Sequence, residues 1–189
     1  PEDVLDFWFT RAGPKRWFAV DPAFDAQVRR RFGPACHALR EAGSVSGHPW
    51  LVEPDSALAL VIVFDQFPRN IWRGSNAAFS LYEKGREAAE AMLAAGFDWA
   101  LEPDRRSFVY MPFMHSERLT DQDHCVRLMA ERMESGDTLE QARAHRYIIR
   151  RFNRFAYRNG ALGRTSTHAE REFLDRGGYR TVLEKLKAE

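Results

Sequence analysis

Apolar residues recur along most of the chain at the three- and four-residue spacing that is typical of helices. Phe24, Val28 and Phe32 show this spacing directly after Asp21 and Pro22, an acidic N-cap and a proline at the positions where helices begin. Three segments resemble capping boxes, in which a threonine and a side chain three residues later cap a helix: 120–123, 138–141 and 167–170. Helices are predicted over the ranges 2–9, 22–39, 56–67, 76–95, 104–112, 120–133, 138–153, 167–174 and 179–187. The pattern predicts an all-α protein of eight or nine helices in a single domain over residues 1–189, arranged as an irregular superhelix or bundle.

The segment 56–67 is the least clear of these helices. Its centre, Leu58–Phe64, is entirely apolar, and such a short run fits a buried strand as well as a buried helix. We predict a helix with Asp55 as its N-cap, because the chain contains no second strand-like run with which a strand would pair. The longest apolar run, Ala57–Phe64, has eight residues, whereas a membrane-spanning helix needs about 20. No membrane span is therefore predicted.

Composition and charge narrow the class of protein. Apolar residues make up 44% of the chain and charged residues 29%, as in globular proteins, and the net charge is only +1. A chain this close to neutral is not expected to bind nucleic acid. The two cysteines, Cys36 and Cys125, are far apart, and the first residues carry acids where a signal peptide carries bases. These features favour a cytoplasmic protein with reduced thiols.

Basic residues are concentrated in one window of the chain. No acidic residue lies between Glu140 and Glu170, and the same window contains the arginines at positions 143, 146, 150, 151, 154, 158 and 164. Guanidinium groups and the first N–H groups of a helix bind phosphates and carboxylates. Arg158, Asn159 and Arg164, just before the helix predicted from 167, therefore indicate a small-anion site. The alternative, arginines that cap carbonyl groups for structural reasons, stays open.

A second polar cluster follows the apolar run. Asp65 is expected to be buried, and a buried carboxylate needs a cationic partner, which Arg69 or Arg73 can supply. Either these residues form a structural ion pair, or one arginine, with Asn70 beside it, is left to contact a ligand.

A third polar cluster is Tyr110–Glu117, in which Pro112 is expected to break or kink a helix. His115 and Glu117 lie close enough along the chain to act as a proton-transfer pair if both turn inward. A satisfied core histidine is the alternative. No second histidine follows at the spacing of a metal site, so neither a metal nor a cofactor is predicted. The chain has no glycine-rich phosphate loop and no nucleophile elbow, so whether it is an enzyme is left open.

Four stretches resemble motifs of the bacterial family called domain of unknown function 924 (DUF924): 4–9 with 17–18, 65–74, 110–117 with 121–122, and 151–167. The resemblance covers nearly the whole chain. It implies an all-helical fold similar to tetratricopeptide-like (TPR-like) superhelices, and it implies no established activity. One departure stands out, since Tyr157 takes the place where the family tends to have histidine before Arg-Asn. A phenol still donates a hydrogen bond, so this change is compatible with anion binding.

Two hypotheses of function follow. In the first, a pocket between helices binds a small anionic metabolite, a phosphate or a carboxylate, with arginines as anion ligands and His115 and Glu117 for proton transfer. The residues expected to line it are His115, Glu117, Arg69, Asn70, Arg73, Arg158, Asn159 and Arg164. In the second, the protein is a helical scaffold that binds a peptide or protein partner in a groove, with Trp17, Trp50 and Trp72 as candidate contact residues. The sequence does not predict an oligomeric state.

Overall fold

The computed structural model describes residues 1–133 and 137–188, and within these ranges it contains helices, turns and loops but no strand. The all-α prediction is confirmed. The α-helices are α1 Glu2–Leu5, α2 Pro14–Trp17, α3 Pro22–Glu41, α4 Pro54–Asp65, α5 Phe67–Ile71, α6 Tyr82–Ala94, α7 Pro103–Met114, α8 Leu119–Arg132, α9 Asp137–Phe152, α10 His168–Asp175 and α11 Gly178–Ala188. Since α1 and α2 are single turns, nine longer α-helices lie in the described ranges, in agreement with the predicted eight or nine. No helix in these ranges combines the length and the hydropathy needed to cross a bilayer.

Contacts between Cα atoms divide the chain into two compact units, which we call unit 1 (Pro1–Pro112) and unit 2 (Phe113–Glu189). The single domain predicted over residues 1–189 stays a prediction, which an unfolding experiment can test.

Helix α4 forms the centre of unit 1. Every residue from Ser56 to Asp65 is buried, and α6 and α1 pack against this helix. The apolar run is therefore a helix, as predicted, and it is apolar all round because it is covered on all sides. The predicted N-cap was wrong, since α4 begins at Pro54 and its N-cap is Glu53. The residue before a proline favours extended backbone, which places the helix boundary at Glu53 rather than at Asp55.

Aromatic rings form a second part of the core of unit 1. Trp8 is fully buried, with ring centroids 5.8 Å from Phe67 and 6.0 Å from Phe108. The segment that carries Trp8 starts as α1, as predicted, and then widens into a π-helix over Asp6–Ala12. All five tryptophans of the chain, at positions 8, 17, 50, 72 and 99, belong to unit 1.

In unit 2, α9 packs against both α8 and α11. Its core contains Ile148, Ile149 and Phe155, and the partly buried Tyr179 packs against them. Asn153 ends α9 with φ 56°, a left-handed conformation that asparagine tolerates better than most residues. The chain therefore turns sharply after α9, and Phe155 returns to the core.

The predicted helix starts in unit 2 are only partly correct. The capping box of Thr167 and Glu170 is confirmed at the start of α10. Thr120 is not a cap, because α8 begins at Leu119 after Arg118. The cause is Ser116, whose hydroxyl accepts the N–H of Arg118 and bonds to Asp121, so that the chain turns into the helix earlier.

Other predicted boundaries also shift. Helix α9 begins at Asp137, one residue before the predicted cap at Thr138. The helix predicted over 76–95 begins as a 3-10 turn at Asn76–Phe79 and becomes α-helical only in α6, while Gly96 follows its end with φ 69°, as predicted. Helix α7 continues through Pro112 for two residues, so Pro112 does not break the helix, and the alternative, a kink at Pro112, stays a prediction.

Candidate anion-binding site

The polar cluster after α4 is an internal network of unit 1. Asp65 is 1% exposed, and its carboxylate accepts hydrogen bonds from Gln66 Nε2 at 2.6 Å and Arg69 Nη2 at 3.5 Å. Arg69 also donates to the hydroxyl of Tyr82 at 2.7 Å and to the backbone carbonyl of Asp65 at 3.0 Å. Arg69 is therefore the cation that the buried Asp65 was predicted to need.

Arg73, which the sequence offered either as the partner of Asp65 or as a ligand contact, forms a bidentate pair with Asp25 of α3. The distances are 2.6 Å from Nε and 2.9 Å from Nη2, and Asn70 Nδ2 donates to the same carboxylate at 2.8 Å. Burial raises the pKa of Asp25, but the hydrogen bonds from Arg73 and Asn70 outweigh it and hold the pKa below its ordinary value. Both predicted ligand-binding side chains at this end of the cluster thus bind an internal anion.

Glu117 has a comparable role in unit 2. Its carboxylate accepts two hydrogen bonds from Arg164, at 2.7 and 2.9 Å, and one from the backbone N–H of Phe155 at 2.8 Å. Burial raises its pKa, but these hydrogen bonds outweigh burial and hold the pKa below its ordinary value. The carboxyl therefore stays ionised at neutral pH. Within the described residues, Glu117 bonds to Arg164 and Phe155 rather than to His115.

The start of α10, where the sequence predicts an anion, contains the carboxylate of Glu170. This side chain is 2% exposed and accepts hydrogen bonds from Arg154 at 2.6 and 2.8 Å, from the N–H of Thr167 at 2.7 Å and from Asn159 Nδ2 at 3.4 Å. The hydrogen bonds from Arg154 lower the pKa of Glu170 to about 2. The predicted anion at this helix start is thus supplied by the protein itself.

Arg158 is the most buried of the predicted arginines, at 1% exposure. Its guanidinium carbon lies 4.2 Å from the centre of the Phe155 ring, in a cation–π contact. Nη1 donates to the backbone carbonyl of His115 at 2.9 Å, and Nε donates to the hydroxyl of Tyr157 at 3.3 Å. Arg158 thus positions Tyr157, whose own side chain is half exposed.

A surface cavity of about 450 Å³ opens beside Tyr157 in unit 2. Its lining includes Tyr157, Tyr179 and Arg180 as polar groups and Ile148 and Phe173 as apolar ones, and no acidic residue is among the lining residues. Burial, and then the neighbouring Tyr157, raise the pKa of Tyr179 to about 12. The Tyr179 phenol therefore stays protonated at neutral pH, and its hydroxyl can donate a hydrogen bond to an anion, as can that of Tyr157.

The predicted histidine lies near this cavity but does not line it. The ring centroid of His115 is 6.2 Å from that of His145, which in turn is 4.7 Å from that of Tyr179. His145 Nδ1 bonds to the carbonyl of Gln141 at 2.8 Å, and because a carbonyl only accepts, Nδ1 carries the proton. Among the described residues, no group of three or more His, Cys, Asp and Glu side chains is arranged to hold a metal ion.

The structure thus distributes the predicted residues between two clusters. Arg69, Asn70 and Arg73 belong to unit 1; His115, Glu117, Arg158, Asn159 and Arg164 belong to unit 2. Sequence analysis missed Tyr179 and Arg180.

The signal for them was the glycine pair just before. Gly177 and Gly178 both have positive φ and line the cavity. A Cβ at position 177 would lie 2.6 Å from the hydroxyl oxygen of Thr181. The turn that presents Tyr179 and Arg180 to the cavity therefore requires glycine at this position.

In this all-helical fold, arginines hold the buried carboxylates of Asp25, Asp65 and Glu170. The chain belongs to the family described as bacterial protein of unknown function (DUF924), whose model matches residues 4–178. A solved structure, that of the protein of unknown function ATU0120 from Agrobacterium tumefaciens, is 37% identical to the chain, with a TM-score of 0.84. The match covers 93% of this chain and 96% of that one. No curated protein matches the sequence.

Proposed function

We propose that the protein binds a small anionic metabolite, a phosphate or carboxylate with an apolar body, in the cavity beside Tyr157. The observation that supports this proposal is the composition of the cavity wall, which contains two phenolic hydroxyls and the guanidinium of Arg180 but no acid. Its volume of about 450 Å³ lies in the range of small-molecule sites.

The polar groups of the wall are suited to an anion. Arg158 donates a hydrogen bond to the oxygen of Tyr157, which withdraws electron density and makes the hydroxyl a better donor. Arg180 is exposed, and within the described residues no carboxylate bonds to it. Ile148 and Phe173 supply an apolar surface for the body of the ligand. The anionic group would therefore contact Tyr157, Tyr179 and Arg180, while Arg158 acts through Tyr157.

The sequence analysis also assigned proton transfer to His115 and Glu117. Glu117 is ionised and bonded to Arg164, so in this proposal it holds the arginine and does not exchange protons. His115 is retained as the candidate for proton transfer, since its ring neighbours His145 and, through it, Tyr179.

The proposal is tested by measuring Tm in the presence of a set of aromatic and aliphatic carboxylates and phosphates. A ligand that binds the folded protein raises Tm by mass action. We expect at least one compound to do so, and we expect Arg180→Ala and Tyr157→Phe to abolish or halve the increase. The matched control is Arg143→Ala, which removes an exposed arginine of α9 that does not line the cavity. The proposal fails if no compound raises Tm, or if the control variant loses the response as well.

The peptide-binding scaffold ranks second. Its candidate contacts Trp17, Trp50 and Trp72 are mostly buried, and Trp17 packs against Trp8 and Phe108. The TPR-like arrangement of the helices stays part of this second proposal. For either function we retain a cytoplasmic location, which two buried free thiols, Cys36 and Cys125, support.

A further inference from the structure

We propose a second anion site in unit 1, a cavity formed by the π-helix, α2 and α3 that binds a phosphate monoester. The cavity has a volume of about 350 Å³, and four arginines line it: Arg11, Arg16, Arg30 and Arg31. No sequence motif pointed to this cavity, because its arginines come from three separate elements.

Two buried rings lie beneath the arginines. Phe7 and Phe24 are stacked with centroids 5.7 Å apart and planes 4° from parallel, and both line the cavity. The guanidinium carbon of Arg16 is 5.9 Å from the Phe24 centroid, and that of Arg31 is 5.4 Å from the Phe7 centroid. These cation–π contacts hold the charged groups around the cavity without neutralising them.

The π-helix brings Arg11 to this cavity. In a π-helix, backbone hydrogen bonds join residues five apart, so side chains at this separation lie near one another. Arg11 Nε accordingly donates to Asp6 Oδ2 at 2.7 Å, five residues away. The π-helix is rare, and its usual form, a single-turn π-bulge within an α-helix, occurs frequently at functional sites.

The charges around the cavity do not cancel. Arg11 pairs with Asp6, and Arg31 pairs with Asp3 through Nε at 2.9 Å. Within the described residues, no carboxylate bonds to Arg16 or to Arg30, and no acid lines the cavity. Four guanidinium groups and two carboxylates leave two positive charges at the site.

This residual charge selects the class of ligand. A phosphate monoester carries close to two negative charges at neutral pH, and the planar fork of arginine matches its oxygens. The aromatic floor suits an apolar or aromatic ester group, and the amide of Gln27 adds a polar group to the wall. A carboxylate has one negative charge and would neutralise only half of the excess.

The probe for this site is phenyl phosphate, with benzoate as its singly charged analogue. Binding to the full chain is measured by calorimetry in about 150 mM salt, where nonspecific attraction is screened. We expect phenyl phosphate to bind with a Kd below about 1 mM, roughly tenfold more tightly than benzoate. The variant Arg16→Ala with Arg30→Ala should weaken phenyl phosphate binding by at least about tenfold. Its Tm should stay near that of the original protein, because neither arginine has a carboxylate partner to leave unpaired.

The matched control removes two positive charges that do not line the cavity. Lys15 is the exposed neighbour of Arg16 in α2, and Arg143 is exposed on α9. The variant Lys15→Ala with Arg143→Ala should bind phenyl phosphate within about twofold of the original affinity. Equal loss in this control would show only long-range attraction and would overturn the proposal, as would the absence of saturable binding up to about 10 mM. Equal affinity for benzoate would overturn the phosphate assignment. Arg180→Ala leaves this cavity intact, so the result is independent of the function proposed for unit 2.

Discussion

Replacing Glu170 by glutamine tests the claim that unit 2 is organised around an internal anion. Glutamine keeps the size of the side chain but removes its charge. It also turns an N–H₂ group toward the N–H groups of Arg154 and Thr167, where the carboxylate accepted hydrogen bonds at 2.6 to 2.8 Å. The substitution therefore leaves a partly buried guanidinium without its counterion and at least one donor without an acceptor.

The pKa of Glu170 sets the magnitude. The folded protein lowers this pKa from an ordinary 4.5 to about 2, and a tenfold change in proton affinity is worth about 1.4 kcal/mol. The folded state therefore favours the ionised carboxyl by roughly 3 kcal/mol at neutral pH, less the screening at the partly exposed Arg154. We expect Glu170→Gln to lower the free energy of unfolding by about 2–3 kcal/mol at pH 7.

The dependence on pH distinguishes this effect from a simple packing defect. Since the folded pKa is the lower one, the contribution of Glu170 is fully present above pH 4.5 and is lost as the pH falls toward about 2. Urea unfolding of both proteins, followed by circular dichroism from pH 7 down to about pH 3, should show the difference between them narrowing below pH 4.5. A difference that stays constant with pH would refute the reasoning.

The matched control for this experiment is Glu172→Gln on the same helix. Glu172 pairs with Arg176 at 2.6 Å, but both side chains are exposed, so the pair stabilises the fold by about 0.5 kcal/mol or less. A loss of stability as large as that of Glu170→Gln would show that burial of the pair is not the cause.

Three further predictions concern one ion pair, the two thiols and the unfolding of the chain. A double-mutant cycle on Glu117→Gln and Arg164→Met should give a coupling of about 1–2 kcal/mol, because both side chains are three-quarters buried; a coupling near zero would contradict the bidentate pair. Burial raises the pKa of Cys36 to about 12 and also raises that of Cys125, so neither thiol should react with a disulfide reagent at pH 8 until denaturant is added. Because every tryptophan lies in unit 1, coincident urea transitions by tryptophan fluorescence and far-ultraviolet circular dichroism would confirm the predicted single domain, and two separate transitions would contradict it.

Local signals in the sequence were sufficient for much of the fold. Asp21 before Pro22 caps α3, and Thr167 with Glu170 caps α10, because each motif satisfies backbone groups within a few residues. The apolar segment of α4 was also assigned correctly, since no strand was available as its partner. Where a side chain outside the recognised motifs decided the outcome, as Ser116 does for the start of α8, the observed boundary differs from the predicted one.

The candidate sites were harder to predict because their partners are distant in sequence. Arg73 was recognised as a candidate, but its carboxylate, Asp25, lies 48 residues earlier. Glu170 was recognised only as a capping residue, although it is also the counterion of Arg154. The cavity that contains Arg16 and Arg30 depends on a π-helix, for which hydrophobic spacing provides no signal.

The internal carboxylate at the start of α10 has one more consequence, which is chemical rescue. Trimming Glu170 to glycine would leave a carboxylate-sized space facing the guanidinium of Arg154 and the N–H of Thr167. Formate or acetate fits such a space and would restore part of the lost stability by mass action, in proportion to the logarithm of its concentration. The stability of the Glu170→Gly variant would then depend on the concentration of formate or acetate, and chloride, which has no carboxylate group, would serve as the control that does not restore it.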